Sequence, residues 1–176
     1  PTIHIMKAVQ IKNPGKSSSL TIEETPTPEP DPNQILVKIQ ATALNRADLL
    51  QRTGNYDPPK GTSDILGLEM AGTGEKVGSA VTKWKPGDRV FGLLPGGGYA
   101  EYCTIHQEMA MPIPSKLSFE KAAAIPETFL TAFQALDWLG ELQENEKVLI
   151  HAAGSGVGTS AIQLAYQLYD AQIIAT

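Results

Sequence analysis

A glycine-rich turn near the end of the 176-residue chain restricts its fold more than any other feature. The stretch HAAGSGVGTSAIQLAYQL, residues 151–168, follows the short apolar run KVLI and leads into a helical pattern. A parallel strand that turns sharply into a helix requires small residues, and the exposed N–H groups at the helix start can bind a pyrophosphate. The pattern predicts a strand-to-helix turn at residues 153–159, with its N–H groups open to a phosphate.

The turn departs from the usual G-x-G-x-x-G fingerprint of dinucleotide-binding folds. The matching register falls on Ala153, Ser155 and Gly158, with Gly154 and Gly156 between them. Every position is small, but small residues also occur in tight turns that bind nothing. The strand before the turn and the amphipathic helix after it favour a phosphate site. The candidate cofactor-binding residues of the turn are Gly154, Ser155, Gly156, Val157, Gly158 and Thr159.

The first two thirds of the chain are predicted to be rich in β-strands. In ILVKIQATAL, residues 35–44, Ile35 and Val37 alternate with polar residues on the opposite face, which indicates a half-buried strand. Several further short apolar stretches are separated by glycine and proline turns. Many short strands with frequent turns favour a barrel or a sandwich.

Helical patterns begin near Ser118, which can cap a first short helix. Pro126 suits the first turn of a second helix, and Gly140 can end that helix. Next come the predicted strand KVLIHA, the glycine turn, a third helix and the buried strand AQIIAT. We expect one apolar face on the second helix, from Phe129, Ala132, Phe133, Leu136 and Leu139, and one on the third, from Ala161, Leu164, Ala165 and Leu168.

The composition argues against several classes of partner. The net charge is −5 and the sequence has no basic cluster, so nucleic acid is not expected as the main partner. No apolar run approaches the roughly 20 residues that would span a bilayer, and we expect no membrane association. The sequence also begins without the features of a signal peptide.

Metal and disulfide chemistry are also poorly supported. A catalytic zinc ion needs about three converging ligands, and none of His4, His106 and His151 stands at metal spacing from Cys103. We therefore expect no zinc site. Cys103 is the only cysteine, which fits a reducing compartment, and we expect a cytoplasmic location. Cys103 itself is predicted to be a small core residue.

Five ordered motifs resemble the zeta-crystallin-like quinone oxidoreductases of the medium-chain dehydrogenase/reductase superfamily. They are ALNRADLLQRTGNYDPP, ILGLEMAGTGEKVG, KPGDRVFGLLPGGGYAEY, AAAIPETFLTAFQAL and VLIHAAGSGVGTSAIQLA. The set is most similar to the branch typified by the tumour-suppressor-inducible quinone oxidoreductase. The resemblance implies an α/β protein with a GroES-like β-barrel catalytic domain, residues 1–121. Linking helices and the first βαβ unit of a Rossmann domain, truncated, would follow at residues 122–176.

The resemblance also implies NADPH as the cofactor and no zinc. Zinc-dependent relatives carry a cysteine where this chain has Asn45 and a histidine where it has Leu68. The strand that ends in IIAT has no acidic residue to bind a ribose 2′-hydroxyl, which favours NADPH over NADH. Family members continue beyond this point, so the 176-residue chain alone is expected to be poorly active, and its full-length parent is expected to be a homodimer.

Further site residues are implied by the resemblance, each with a simpler alternative. Asn45 and Asp48 would lie by the nicotinamide and the substrate, although Asn45 could simply cap the helix RADLLQR. Tyr56 would face the quinone, or it could pack on the neighbouring prolines. Thr131 would point to the nicotinamide, or it could bond its own backbone. The candidate catalytic residues are Asn45, Asp48 and Tyr56, and the candidate nicotinamide contacts are Asn45 and Thr131.

Two other residues are given weaker roles. Glu69 is predicted to be structural, and Tyr99 could either border the substrate site or anchor its own loop.

Three functions remain open on the sequence alone. The first is an NADPH-dependent quinone oxidoreductase, or the N-terminal portion of one. The second is an NADPH-dependent reductase of enones or enoyl thioesters, which uses the same fold. The third is a non-enzymatic binding or structural role.

Overall fold

The computed structural model describes residues 4–13, 15 and 19–176. The chain divides into two compact units, Pro1–Ala124 and Ile125–Thr176. The first unit is built mainly from antiparallel strands and the second from helices and two parallel strands. The predicted order of a β-rich part followed by a parallel α/β unit is therefore confirmed.

Among the described residues, seven strands and two short helices make up the first unit. Strands β1 and β2 pair as an antiparallel ribbon, and the other five form an antiparallel sheet in the order β6-β3-β4-β5-β7. The strands are β1 Ile5–Lys12, β2 Ser19–Pro26, β3 Gln34–Ala41, β4 Glu69–Val77, β5 Arg89–Leu93, β6 Tyr102–His106 and β7 Met111–Pro112. The helices are α1 Arg46–Arg52 and α2 Phe119–Ala123.

The sheet differs from the expected barrel because it does not close on itself. Within the described residues, β6 and β7 lie at opposite ends of the strand order, and one isolated bridge joins Ala8 of the ribbon to Ala100. Strand β7 has only two residues, and Pro112 has no N–H to donate to a further strand. Strand β3 also ends at Ala41 instead of continuing to Leu44, because the Thr42 hydroxyl donates to the Glu69 carbonyl oxygen at 2.7 Å.

The core of the first unit lies on one face of the five-stranded sheet. Ile35, Val37, Met70 and Val90 are all fully buried there, as predicted for this face of β3, whereas Leu36 on the opposite face is buried as well and departs from simple alternation. Strands β3 and β4 approach closely at Gly72, where a Cβ atom would lie 2.2 Å from the Lys38 carbonyl oxygen. A side chain at position 72 would therefore separate the two central strands.

Cys103 belongs to this core, as predicted. Its buried thiol makes the free energy of unfolding depend on pH in the alkaline range. Burial raises the pKa of the Cys103 thiol from 9.0 to about 12. The unfolded chain therefore releases this proton at a lower pH than the folded chain, so stability falls as the pH rises above 9. Between pH 8 and pH 10 we expect this thiol to lower the free energy of unfolding by roughly 1.4 kcal/mol.

Urea unfolding of the protein and of Cys103→Ala at both pH values tests this expectation. The variant should lose less stability than the parent over this interval, whatever its stability at pH 8. Equal losses would show that the thiol does not carry the effect.

The second unit contains a helix pair and a two-stranded parallel sheet. Strands β8 and β9 pair in parallel, with Lys147 opposite Gln172 and Ile150 opposite Ala175. The elements are α3 Pro126–Phe133, a π-helix Gln134–Leu139, β8 Lys147–Ile150, α4 Gly156–Tyr169 and β9 Gln172–Ala175. Helix α4 packs on α3 through Ala132, Ala161 and Ala165, which are buried in one cluster with Ile150.

Local signals at the helix ends are confirmed. The Ser118 hydroxyl accepts a hydrogen bond from the Lys121 N–H at 3.3 Å and caps α2. Pro126 occupies the first turn of α3, where its missing N–H has no cost.

The predicted apolar faces of the two long helices are only partly buried. The helix that begins at Pro126 changes to a π-helix at Gln134, so residues beyond that point no longer follow the 3.6-residue period. Leu136 stays buried, whereas Leu139 is 76% exposed. Leu168 of α4 is also exposed, at 55%. The prediction that Leu139 and Leu168 lie on buried faces is therefore wrong for the described structure.

Candidate functional site

The glycine turn connects β8 to α4, as the sequence predicts. Strand β8 ends at Ile150, the turn occupies residues 151–155, and α4 begins at Gly156. The connection therefore lies slightly earlier than the predicted range 153–159. Residues 156–159 of that range form the first turn of α4. Ser155 caps the helix, since its hydroxyl accepts from the Gly158 N–H at 3.0 Å.

Three backbone N–H groups of this segment remain available for a ligand. The Ser155 N–H donates to the Ala152 carbonyl oxygen at 2.9 Å, and the Thr159 N–H donates to the Ser155 carbonyl oxygen at 2.9 Å. Within the described part of the chain, no acceptor is found for the N–H groups of Gly154, Gly156 and Val157. Unbonded N–H groups at a helix start are the usual donors to a phosphate.

The carboxyl ends of both parallel strands meet at this turn. The Ala153 N–H donates to the Thr176 carbonyl oxygen at 3.0 Å, and His151 Nδ1 lies 2.9 Å from Thr176 Oγ1. A cavity of about 470 Å³ is lined there by Ser155 and Val157, among other residues of this unit. Open α/β sheets bind ligands outside the carboxyl ends of their strands, so this position suits a cofactor.

The backbone of the turn carries one unfavourable conformation. Ala152 has φ of 53°, in the left-handed region that a Cβ atom disfavours. Ala152→Gly should therefore stabilise the second unit by about 1 kcal/mol, because glycine adopts this conformation without strain. Thermal unfolding measures the change. The same replacement at the buried helical position Ala161 should instead destabilise by about 1 kcal/mol, and equal signs at the two positions would contradict the assignment.

Asn45 and Asp48 form the start of α1 in the first unit. Asn45 is the N-cap residue, with extended φ and ψ of −123° and 157°, and its N–H donates to Asp48 Oδ2 at 2.8 Å. The capping interpretation of Asn45 is therefore confirmed. Asp48 is only 4% exposed and also accepts from the Gly67 N–H at 3.2 Å and the Tyr99 hydroxyl at 2.8 Å.

Tyr99 is held in its protonated form by these surroundings. Burial, and then the hydrogen bond and negative charge of Asp48, raise the pKa of the Tyr99 hydroxyl well above its usual range. The hydroxyl is therefore a donor to Asp48 and a weak source of protons for any bound ligand. Of the two roles considered for Tyr99, this contact supports anchoring of its loop to α1.

Glu69 extends the same network to β4. Asn45 Nδ2 donates to Glu69 Oε1 at 2.7 Å, and Glu69 is 1% exposed. The Asn45 side chain is thus fixed between a helix start and a buried carboxylate, while the residue remains half-buried. The sequence alone gave Glu69 only a general structural role, because it lies 24 residues from Asn45 and no spacing rule connects them.

Comparison with known proteins shows which superfamily this chain resembles over its length. Residues 31–115 match the alcohol dehydrogenase GroES-like domain. The chain is 36% identical to the quinone oxidoreductase of Lama guanicoe over 163 residues, which are 92% of this chain and 49% of that protein. The chain belongs to the medium-chain dehydrogenase/reductase superfamily.

Two other relatives show the range of this superfamily. The mouse (Mus musculus) synaptic vesicle membrane protein VAT-1 homolog-like is 33% identical over 97% of this chain and 41% of its own length. The crystal structure of CurK enoyl reductase superposes with a TM-score of 0.88 at 34% identity, over 97% of this chain and 53% of that chain. The chain therefore spans about half the length of the superfamily members that it matches.

The remaining superfamily site candidates lie outside the Asn45 network. Tyr56 is half-buried in the connection between α1 and β4, and no hydrogen bond joins it to Asp48 in the described structure. Thr131 is exposed on α3, and its hydroxyl donates to the Glu127 carbonyl oxygen at 2.6 Å, which is the local alternative considered for it. The structure thus brings Asn45 and Asp48 together, but not Tyr56.

The described residues contain neither a group of metal ligands nor a membrane-spanning helix. Across the described residues, no three His, Cys, Asp or Glu side chains are grouped so that they could hold a metal ion. No helix in the described ranges is both long and apolar enough to cross a bilayer.

Proposed function

We propose that this protein is an NADPH-dependent oxidoreductase that transfers hydride to a quinone, or the N-terminal portion of such an enzyme. The observation that carries the proposal is the turn between β8 and α4, where the N–H groups of Gly154, Gly156 and Val157 are available to a pyrophosphate. The similarity to a quinone oxidoreductase supports the quinone as acceptor. The activity would be cytoplasmic and zinc-independent, and the parent would be a homodimer.

The backbone and the side chains of the turn would have different roles in pyrophosphate binding. The free N–H groups would donate to its oxygens, and the positive end of α4 would favour its charge. The Ser155 and Thr159 hydroxyls already serve the helix, since Ser155 accepts from the Gly158 N–H and Thr159 donates within 3.0 Å to the carbonyls of Ser155 and Gly156. Their role would therefore be to hold the N–H groups in place.

Preference for NADPH over NADH is part of this proposal, and the residues at the end of β9 are compatible with it. That strand ends at Ala175, and neither Ala175 nor the following Thr176 is an acid that could bind a ribose 2′-hydroxyl. Asp170, the nearest acid in sequence, is the C-cap of α4 and lies at the opposite end of β9. A 2′-phosphate would therefore meet no negative side chain from Ala175 or Thr176.

The nicotinamide and the substrate would be bound by Asn45, Asp48, Tyr56 and Thr131. NADPH supplies the hydride when it is bound. The buried carboxylate of Asp48 would hold the start of α1, and Asn45 would contact the ligand from the cap position. Tyr56 would stack on the quinone ring or donate to its carbonyl oxygen. A reduced quinone oxygen can take its proton from water or a hydroxyl, so no strong general acid is required, and positioning would provide most of the rate.

Reduction of an enone or enoyl thioester is the second candidate. The close structural likeness to CurK enoyl reductase favours it, because that protein has a similar fold over nearly all of this chain. A non-enzymatic role is the third candidate, and the similarity to a synaptic vesicle membrane protein keeps it open.

A comparison of turnover with different substrates and cofactors separates these candidates. The protein would be assayed with 1,4-benzoquinone and with a 2-alkenal, each with NADPH or NADH, and with and without a metal chelator. Faster quinone turnover with NADPH that survives the chelator would support the proposal. Faster alkenal turnover would favour the second candidate. Absence of both turnover and NADPH binding would leave the non-enzymatic role.

A further inference from the structure

The hydrogen bond from the Asn45 side chain to the Glu69 carboxyl group has no part in the function proposed above. Asn45 donates to a carboxyl oxygen of Glu69, so the end of the Asn45 amide that faces Glu69 is the NH₂ group. The 2.7 Å contact between Asn45 Nδ2 and Glu69 Oε1 therefore fixes which way the amide is turned. Without the carboxylate, the Nδ2 end of the amide would lose this hydrogen bond and its restraint.

The fixed orientation determines what Asn45 can offer to a ligand. One of the two Nδ2 hydrogens is engaged by Glu69, and the oxygen end belongs to the capping arrangement at the start of α1. Among the described residues no acceptor is found for the second Nδ2 hydrogen, and Asn45 is half-buried, so part of the residue is accessible. Asn45 is thereby made a hydrogen-bond donor, which suits an acceptor such as a carbonyl oxygen.

The surroundings of Glu69 make this orientation rigid. Glu69 is 1% exposed, and its backbone carbonyl oxygen also accepts from the Thr42 hydroxyl at 2.7 Å. Glu69 is the first residue of β4, the central strand, which pairs with β3 and β5. The carboxylate is thus held by the sheet, whereas Asn45 lies in the connection before α1.

We propose that Glu69 is a positioning residue, which locks the Asn45 amide so that its free Nδ2 hydrogen is donated to a carbonyl oxygen of the bound ligand. This inference rests on the proposed function, since it assumes that Asn45 contacts ligand. The carbonyl belongs either to the quinone or enone substrate or to the nicotinamide carboxamide. In the substrate case the donor would meet an oxygen that gains negative charge during hydride transfer.

The first test follows the Asn45 side-chain amide by NMR, with no ligand present. In the protein, the Nδ2 hydrogens should give one rigid pair of resonances. Glu69→Ala should make that amide mobile, and Glu69→Gln should restore part of its order, because a glutamine oxygen can accept the same bond. Thr42→Val is the matched control, since it removes a hydrogen bond to the Glu69 backbone carbonyl oxygen, not to its carboxylate, and should leave the amide rigid. An Asn45 amide that is equally rigid in Glu69→Ala would overturn the inference.

The second test measures binding of two separate carbonyl ligands. A quinone without reductant and reduced nicotinamide mononucleotide would be titrated individually, and the one whose affinity depends on Glu69 identifies the carbonyl. Glu69→Ala and Asn45→Ala should each weaken that ligand about tenfold. The double variant should be no weaker than Asn45→Ala alone, because Glu69 acts through Asn45. Additive losses would show a general structural role and contradict the inference.

A third ligand, ADP, distinguishes failure of the proposed function from failure of the positioning role of Glu69. ADP, a probe of the glycine turn, should bind equally to the protein and to Glu69→Ala. If the protein binds neither ADP nor either carbonyl ligand, the proposed function is wrong, and with it the ligand part of this inference. If it binds both kinds of probe without any effect of Glu69, only the positioning role is wrong.

Discussion

Gly158→Ala is expected to disrupt the glycine turn and to abolish cofactor binding. A Cβ atom at position 158 would lie 2.5 Å from the Ala152 carbonyl oxygen and 2.6 Å from Ala153 Cα. Both neighbours are backbone atoms, so no side chain can move aside to make room. Overpacking of this kind costs about 3 kcal/mol, and relief would require the turn to open. Because Gly154, Gly156 and Val157 present their N–H groups from this turn, cofactor affinity should fall at least 100-fold.

Gly154→Ala is the matched control for this experiment. A Cβ atom at position 154 would meet no atom within 4 Å, so the free energy of unfolding should change by less than about 0.5 kcal/mol. Denaturant unfolding and calorimetric titration with NADPH compare the two variants. Loss of both stability and binding in Gly158→Ala, with normal stability in Gly154→Ala, is the expected pattern. Equal stability of the two variants would mean that the backbone at position 158 is not as close as described.

Much of the local structure could be predicted because it depends on neighbours in sequence. The alternation of Ile35 and Val37 identified a strand, Ser118 identified a helix start, and Pro126 marked the first turn of the next helix. Each of these signals operates within about four residues, where backbone geometry is set by local sterics and hydrogen bonds. The strand-to-helix turn was predictable for the same reason.

The errors arose where a local pattern was extended beyond its range. Leu139 was assigned to a buried face on the assumption of a regular helix, but the π-helix from Gln134 changes the angular spacing. The number of strands leaves a barrel or a sandwich open, and the described strand order is an open sheet, because closure depends on which edges pair. The left-handed conformation of Ala152 could not be predicted either, because that region is normally occupied by glycine.

The candidate site was predictable only in part. Asn45 followed by Asp48 three residues later is a local capping pattern, and the structure confirms it. The contacts that complete the network come from Glu69, 24 residues from Asn45, and Tyr99, 51 residues from Asp48. Sheet pairing brings these residues together, and no spacing rule in a single sequence encodes such pairing. The resemblance to a family could indicate Asn45 and Asp48, but not the buried carboxylate that orients the amide.

Asp48→Ala is expected to destabilise the first unit by about 4 kcal/mol, because three donors lose their acceptor at once. The carboxylate, which is 4% exposed, accepts from the Asn45 N–H, the Gly67 N–H and the Tyr99 hydroxyl. Two of these are backbone groups that cannot turn toward water, so each buried donor left unsatisfied adds about 1 to 3 kcal/mol. Urea unfolding at neutral pH measures the loss.

Two control variants show whether the loss of stability in Asp48→Ala exceeds that from removing one hydrogen bond or one exposed charge. Tyr99→Phe removes one donor and leaves the other two bonded to Asp48, so it should cost only about 1 kcal/mol. Asp57→Ala removes an exposed carboxylate from the same unit and should change stability by less than about 0.5 kcal/mol. Asp48→Ala should therefore exceed both by a wide margin. A loss no larger than that of Tyr99→Phe would show that the backbone donors find other acceptors, and that Asp48 does not hold the start of α1 in place.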